Sequence, residues 1–234
     1  MRLDLLLGAG CQRWLGPLVK RGQLRSWLGG KLKPVTKGRS VATLAREAAE
    51  CQACPLWRDA TQTVFGEGKG SAELMLVGEQ PGDREDLEGR PFVGPAGAIL
   101  DRALDGARIE RSTVYVTNAV KHFKFRERGK RRIHQRPDAA EVAACRRWLA
   151  AEVELVAPAV VVAMGATAAR AVFGRATAIG ENRGHVLASS LLSPPIVVTA
   201  HPSSVLRQRD QGARRTALEA LTSDLRFAAS IMDP

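Results

Sequence analysis

The chain has 234 residues, 45% of them hydrophobic, which is enough for a full core and excludes global disorder. No apolar run approaches the ~18 residues of a membrane-spanning helix, and four cysteines are too few for a disulfide scaffold. The net charge of +11 is concentrated: residues 1–40 carry +8 and residues 121–136 (KHFKFRERGKRRIHQR) carry +7, leaving −4 for the rest. Two basic islands on a mildly acidic body point to a polyanionic partner, nucleic acid first. Arginine and alanine are both abundant, as a GC-rich genome alone would make them, so the arginine count by itself decides nothing.

In chain order, residues 1–40 are basic and Gly-rich without clear periodicity, and read as a flexible or weakly helical extension. Its start, MRLDLLLGAGCQRWLG, is broken by Asp4 and glycines, so it is a poor secretory signal and a cytoplasmic protein is expected. Nonspecific DNA binding and an upstream start codon both account for this segment. VATLAREAAE (41–50) then reads as a helix delivering Cys51-Gln-Ala-Cys54, half of a metal site in a reducing compartment.

Four short apolar runs follow: Leu74–Val77, Val114–Thr117, Val160–Met164 and Ile196–Thr199. Such unbroken runs suit strands of a parallel sheet buried on both faces. Helical patterns lie between them. One starts at Pro95, suited to a first helical turn. Another starts at the capping signal Asp138-x-x-Glu141 and puts Val142, Cys145, Leu149 and Val153 on one face. A third closes at Gly174, and a last covers about 211–229. The alternation predicts an α/β fold, three layers α/β/α around a central four-stranded parallel sheet.

Ligands of open parallel sheets bind at the carboxyl ends of the strands. The residues following the four strands include Gly78-Glu79-Gln80, Asn118, Gly165-Ala166-Thr167 and His201-Pro202-Ser203-Ser204, so Glu79, Asn118 and His201 should converge. An Asn amide both donates and accepts, matching the O4 and N3–H edge of a uracil-like ring. A His can hydrogen-bond charge developing on a departing base. Taken singly, a His before Pro reads as a turn residue and a strand-end Asn as a loop cap.

GEQPGDREDLEGRPFVGPAG (78–97), VTNAVK (116–121) and HPSS (201–204) resemble the family 4 branch of the uracil-DNA glycosylase superfamily, most nearly its UdgX type, which carries GEQPG and a KRRIH loop, here Lys130–His134. The resemblance runs from about residue 45 to 229. It implies that Phe92 stacks on a flipped uracil, Asn118 reads its polar edge, His201 stabilises O2 as the glycosidic bond breaks, and backbone near Gly78 and Gln80 completes the pocket. It also implies that His134 attacks C1′ of the sugar and leaves a stable protein–DNA adduct, with Glu79 and Gln80 positioning its ring. From spacing alone, His134 is a spectator in a solvated basic loop.

Family 4 proteins bind a [4Fe–4S] cluster through four cysteines. Cys51, Cys54 and Cys145 match three, and the fourth match falls on His122, where the wider family has Cys. A Cys₃His iron–sulfur cluster in a structural role is therefore expected, although zinc suits the same ligands. Cys11 is the spare thiol, in the dissimilar extension. The expected partner is uracil-containing DNA, single- or double-stranded, with a flipped nucleotide. Lys130, Arg131, Arg132, Ser203 and Ser204 are expected on phosphates, with Leu206 or Arg207 as a wedge. A monomer that captures DNA through His134 is the first reading, a turnover glycosylase the second, and a noncatalytic iron–sulfur DNA-binding module the third.

Overall fold

The computed structural model describes residues 39–232. The extension expected over 1–40, with Cys11, lies outside them apart from Arg39 and Ser40. The main sheet has six strands: β1 (Glu67–Gly68), β2 (Leu74–Gly78), β3 (Tyr115–Asn118), β6 (Val160–Met164), β7 (Val186–Leu187) and β8 (Ile196–Thr199). Their order is β1-β3-β2-β6-β8-β7. The four central strands are parallel, as predicted from their unbroken apolar runs. The two short edge strands run antiparallel and were not predicted. Two-residue strands leave no periodicity to detect, and they blunt the edges of the sheet.

Successive side chains of the buried strands feed two cores. Met75, Val77, Val161, Ala163 and Val198 pack on one face with α1 (Val41–Ala49), α4 (Ala139–Val156) and α5 (Ala166–Phe173). Leu74, Leu76, Val116, Val162 and Val197 pack on the other with α3 (Pro95–Ala107) and α8 (Gln211–Ser230). These are the three layers expected. The capping box of α4 forms as predicted: Asp138 accepts from the Ala140 and Glu141 N–H groups, and Glu141 accepts from the Asp138 N–H (2.7 Å). Val142, Cys145, Leu149 and Val153 share its buried face. Short helices α2 (Asp83–Glu88), α6 (Ile179–Asn182) and α7 (Ser203–Leu206) complete the fold.

One expectation is corrected. The basic stretch taken as a loop is a β-hairpin, β4 (Phe125–Arg128) and β5 (Arg131–His134), with Phe125 opposite His134. Its two-residue turn starts at Gly129, whose φ of 60° favours glycine. The alternation of the flanking residues was hidden because both faces are largely charged.

Candidate active site

The strand ends converge on a cavity of about 700 Å³ whose walls include Gln80, Phe92, Asn118, His134, His201 and Leu206. Asn118 closes β3. Its backbone carbonyl accepts from Lys121 Nζ (2.8 Å), while its side-chain amide, on the cavity wall, makes no hydrogen bond among the described residues. Phe92 takes a left-handed φ of 58°, strained for an aromatic residue. Its carbonyl packs so tightly on Gly97 that no β-carbon fits there. The ring stacks towards His201, with centroids 6.2 Å apart. Gly78 faces both: a β-carbon on it would overlap Asn118 Oδ1 and sit 2.6 Å from the tip of Phe92. This glycine is required by close approach, not by its backbone angle.

His201 is oriented by its neighbours. The Ser203 N–H donates to Nδ1 (3.2 Å), so Nδ1 is the acceptor nitrogen and the proton sits on Nε2. The Ser203 hydroxyl also meets Nδ1 (2.8 Å) and accepts from Arg207 (2.8 Å). Burial, with the Arg207 guanidinium and the His134 ring nearby, pushes the imidazole pKa down to about 4. His201 is therefore neutral at pH 7, with one N–H to give. Ser203 thus links His201 to Arg207, whose side chain is exposed on the cavity wall and whose other guanidinium nitrogens make no hydrogen bond among the described residues. Ser204 is half-buried in α7, its N–H on the His201 carbonyl (2.8 Å).

Glu79 stands on the far side of His134, whose Nε2 lies 3.5 Å from Glu79 Oε1. The other oxygen, Oε2, accepts a short bond from the Thr167 hydroxyl (2.5 Å), and Thr167 in turn accepts from Arg136 Nε (3.2 Å). The carboxylate is thus held by one oxygen and presents the other to His134. Thr167 was noted only as part of a strand end. Its closeness to the third strand could have marked it, but pairing with Glu79 across 88 positions leaves no local signal.

The hairpin that carries His134 is fastened at its base and along β5. At its base, Gln80 donates to the carbonyls of Lys124 (3.1 Å) and Gln135 (3.0 Å) and accepts from the Lys124 N–H (3.0 Å). The Gln80 side chain thus ties down the base of the hairpin that carries His134, while Gln80 also lines the cavity. Arg132, expected on phosphate, donates to Asp83 and to the fully buried Asp86 (2.6 Å each). Its guanidinium covers Phe123 and Phe125, 5.4 and 5.0 Å from their ring centres. Lys130 and Arg131 remain exposed at the hairpin's tip.

Beneath the site lies a buried ion pair that the sequence reading missed. Lys121 Nζ donates to Glu152 Oε2 and to the Thr117 hydroxyl (2.5 Å each), and Glu152 also accepts from Tyr115, Thr117 and the Gly66 N–H. Both side chains are sealed from solvent.

Of the expected metal ligands, Cys51 and Cys54 lie near enough to Cys145 for their charges to act on it. Burial, with the Cys54 and Cys51 thiols adding to it, raises the Cys145 pKa to about 11. Cys54 is raised by burial, with Cys51, Glu141 and Asp138 adding to it. Hydrogen bonds reach two of the sulfurs: Trp148 Nε1 donates to Cys51 (3.1 Å), and the Lys121 N–H donates to Cys145 (3.3 Å). The Thr63 hydroxyl donates to the Ala48 carbonyl (3.2 Å), so His122 Nε2–H must donate to Thr63 (2.8 Å), which leaves the Nδ1 lone pair for a metal. Burial lowers the His122 pKa and keeps the ring neutral, as ligation requires. Among the described residues no three such side chains meet around a single ion. Three thiols and an imidazole are a donor set that either a [4Fe–4S] cluster or zinc accepts.

Among the described residues, no helix is long and apolar enough to cross a membrane.

Residues 65–226 match the profile of the uracil DNA glycosylase superfamily, and the chain belongs to that superfamily. Over 185 residues it is 38% identical to the type-4 uracil-DNA glycosylase of Thermotoga maritima, covering 79% of this chain and 92% of that protein. The type-4 uracil-DNA glycosylase of Sulfurisphaera tokodaii is 33% identical, over 71% of this chain and 76% of its own length. A type-5 uracil-DNA glycosylase of Pyrobaculum aerophilum is 32% identical, over 70% and 74%.

Proposed function

We propose that this chain excises uracil from DNA and then links itself to the abasic sugar through His134, as in the UdgX type. The observation that carries the reading is the placement of a half-exposed imidazole on the wall of the cavity, 3.5 Å from a carboxylate whose other oxygen is already held. A flipped uracil would lie beside Phe92, with Asn118 on its polar edge and His201 Nε2–H directed at O2. As the C1′–N1 bond breaks, its electron pair leaves with uracil, and the neutral His201 stabilises that charge without giving up its proton. The sugar becomes oxocarbenium-like. A lone pair of His134 closes the N–C1′ bond, Glu79 stabilises both the cationic sugar and the imidazolium, and the ring proton is lost as the uracil anion gains one from water. The net change is histidine plus deoxyuridine in DNA going to histidine-linked DNA plus uracil.

Cys51, Cys54, Cys145 and, through Nδ1, His122 would hold a [4Fe–4S] cluster. When bound, it would tie α1 and the segment after it to α4. Lys130 and Arg131 would meet phosphates.

A second reading has support in the type-4 relatives: water beside Glu79 completes hydrolysis, and His134 takes no part. A denaturing gel separates the two. Purified protein is incubated with uracil-containing and thymine-containing strands, beside His134→Ser. A denaturant-resistant band that needs both uracil and His134 establishes capture. Free abasic DNA without that band leaves the turnover enzyme.

A further inference from the structure

A second cavity, of about 380 Å³, adjoins the first across Leu206, and nothing in the reaction described above uses it. Ile99 and Val205, both buried, and the half-buried Leu218 contribute apolar surface to it. Arg102, Arg214 and Arg215 are its exposed charged residues. The side chain shared by the two cavities, Leu206, is 42% exposed, large for an aliphatic residue with no packing role. Along α3 the lining continues from Pro95 and Ala96 in the first cavity to Ile99 and Arg102 in the second. Six residues of helix span about 9 Å, two to three times the ~3.4 Å axial rise per phosphate of a DNA strand.

Among the described residues none of Arg102, Arg214 and Arg215 forms an ion pair. Asp101 is engaged with Arg111 (3.3 Å) and Asp210 caps α8 through the Ala213 N–H (2.8 Å), while Asp105 and Glu219, one turn along α3 and α8, make no ion pair with the groove's arginines. Arg214 spends only its Nε, on the Gln208 carbonyl (3.2 Å), which leaves its terminal nitrogens free to point outward. The groove has no aromatic platform on which a base would stack, so it suits a backbone rather than a nucleobase.

We propose that this groove binds the phosphodiester backbone of the uracil-bearing strand next to the flipped nucleotide, with Leu206 as the ridge the strand crosses on its way into the pocket. The proposal rests on the reading of the chain as a uracil-DNA glycosylase and extends its footprint to residues outside the uracil site. Contact would be independent of sequence, because guanidinium groups here meet phosphates only.

The test is DNA binding by the full chain, followed by fluorescence anisotropy as a function of salt. The probes carry one 2′-fluoro-deoxyuridine, whose glycosidic bond resists cleavage so that binding stays at equilibrium, and extend by several nucleotides on its 5′ side, its 3′ side or neither. The variant is Arg102→Gln/Arg214→Gln/Arg215→Gln. A control, Arg46→Gln/Arg58→Gln/Arg175→Gln, removes the same charge from residues elsewhere. Three phosphate contacts on a single strand contribute roughly 2 to the slope of log affinity against log salt, so from about 50 to 200 mM salt the wild type should lose about 20-fold more affinity than the variant. The affinity gained from one of the two extensions should disappear in the variant and persist in the control.

A variant that keeps the wild-type slope and both gains overturns the groove. So does equal loss of both gains, or an equal loss in the control, since either marks a diffuse field rather than a site. The denaturing gel reads the underlying function separately. A protein with the predicted slope change that neither excises nor captures would keep the groove and overturn the glycosylase reading.

Discussion

Thr167→Val removes one hydroxyl at nearly constant volume and tests how Glu79 is held. In the structure that hydroxyl gives Glu79 Oε2 a 2.5 Å bond, while Oε1 faces His134 Nε2 at 3.5 Å. A hydrogen bond to a charged acceptor contributes about 1.5–3 kcal/mol. If that energy holds the carboxylate in its orientation, its loss slows the step that depends on Glu79 by roughly 10- to 150-fold, at 1.36 kcal/mol per tenfold. The assay is single-turnover: covalent product is read on a denaturing gel, and released uracil is measured in the same samples. Capture should slow by that factor, Thr167→Ser should restore most of it, and the melting temperature should change little. Capture and release both within twofold of wild type in Thr167→Val would refute the argument, since Glu79 would then need no such support.

Three further outcomes are expected. His201 has a folded pKa of about 4, below its ordinary value, so as pH falls the unfolded chain takes up this proton first. The stability this contributes is complete above about pH 6.5 and declines as pH falls from there towards 4, while single-turnover excision stays flat from pH 8 to about 5. Denaturation and rate profiles check both, and His201→Gln should remove the stability component. Gly78→Ala drives a methyl group into Asn118 and Phe92, and overpacking of this kind costs about 1–3 kcal/mol. Uracil release should fall by at least about tenfold, with circular dichroism close to wild type, because the displaced atoms are those of the pocket. Lys121→Met leaves Glu152 buried without its counter-ion and should destabilise by about 3–5 kcal/mol in urea denaturation, much of which Lys121→Met/Glu152→Gln recovers.

The parallel strands and long helices were legible because their burial is uniform along the element. Val160–Met164 faces apolar surroundings on both sides, and α4 carries its own capping box. The same logic made Glu79, Asn118 and His201 legible, since strand ends of an open sheet are brought together by topology alone. What stayed hidden depends on pairing across the chain. Arg132 looked like every other arginine of its basic run. Only contact with Asp83 and Asp86 on α2, and with two phenylalanine faces, turns it into a fastening for the hairpin. Lys121 was counted as part of a positive island, yet its charge is cancelled inside the protein by Glu152, 31 positions away. The island that reaches solvent is smaller than the sequence suggests.

That difference bears on the choice between hydrolysis and capture. Under either proposed chemistry Asn118 would read the base, the neutral His201 would face its O2 and Glu79 would serve the sugar. The two differ in whether the nucleophile is His134, carried by the hairpin. Its position is over-determined by the Gln80 bonds at its base and the Arg132 bonds along β5, far more than a phosphate-binding loop requires. Rigid placement is of little use for nonspecific charge, which works as well from a mobile arm. It matters for a nucleophile, where holding the attacking atom in place converts a bimolecular step into an effectively unimolecular one. On the capture reading proposed above, the network that holds residues 124–135 serves the residue near its end, His134.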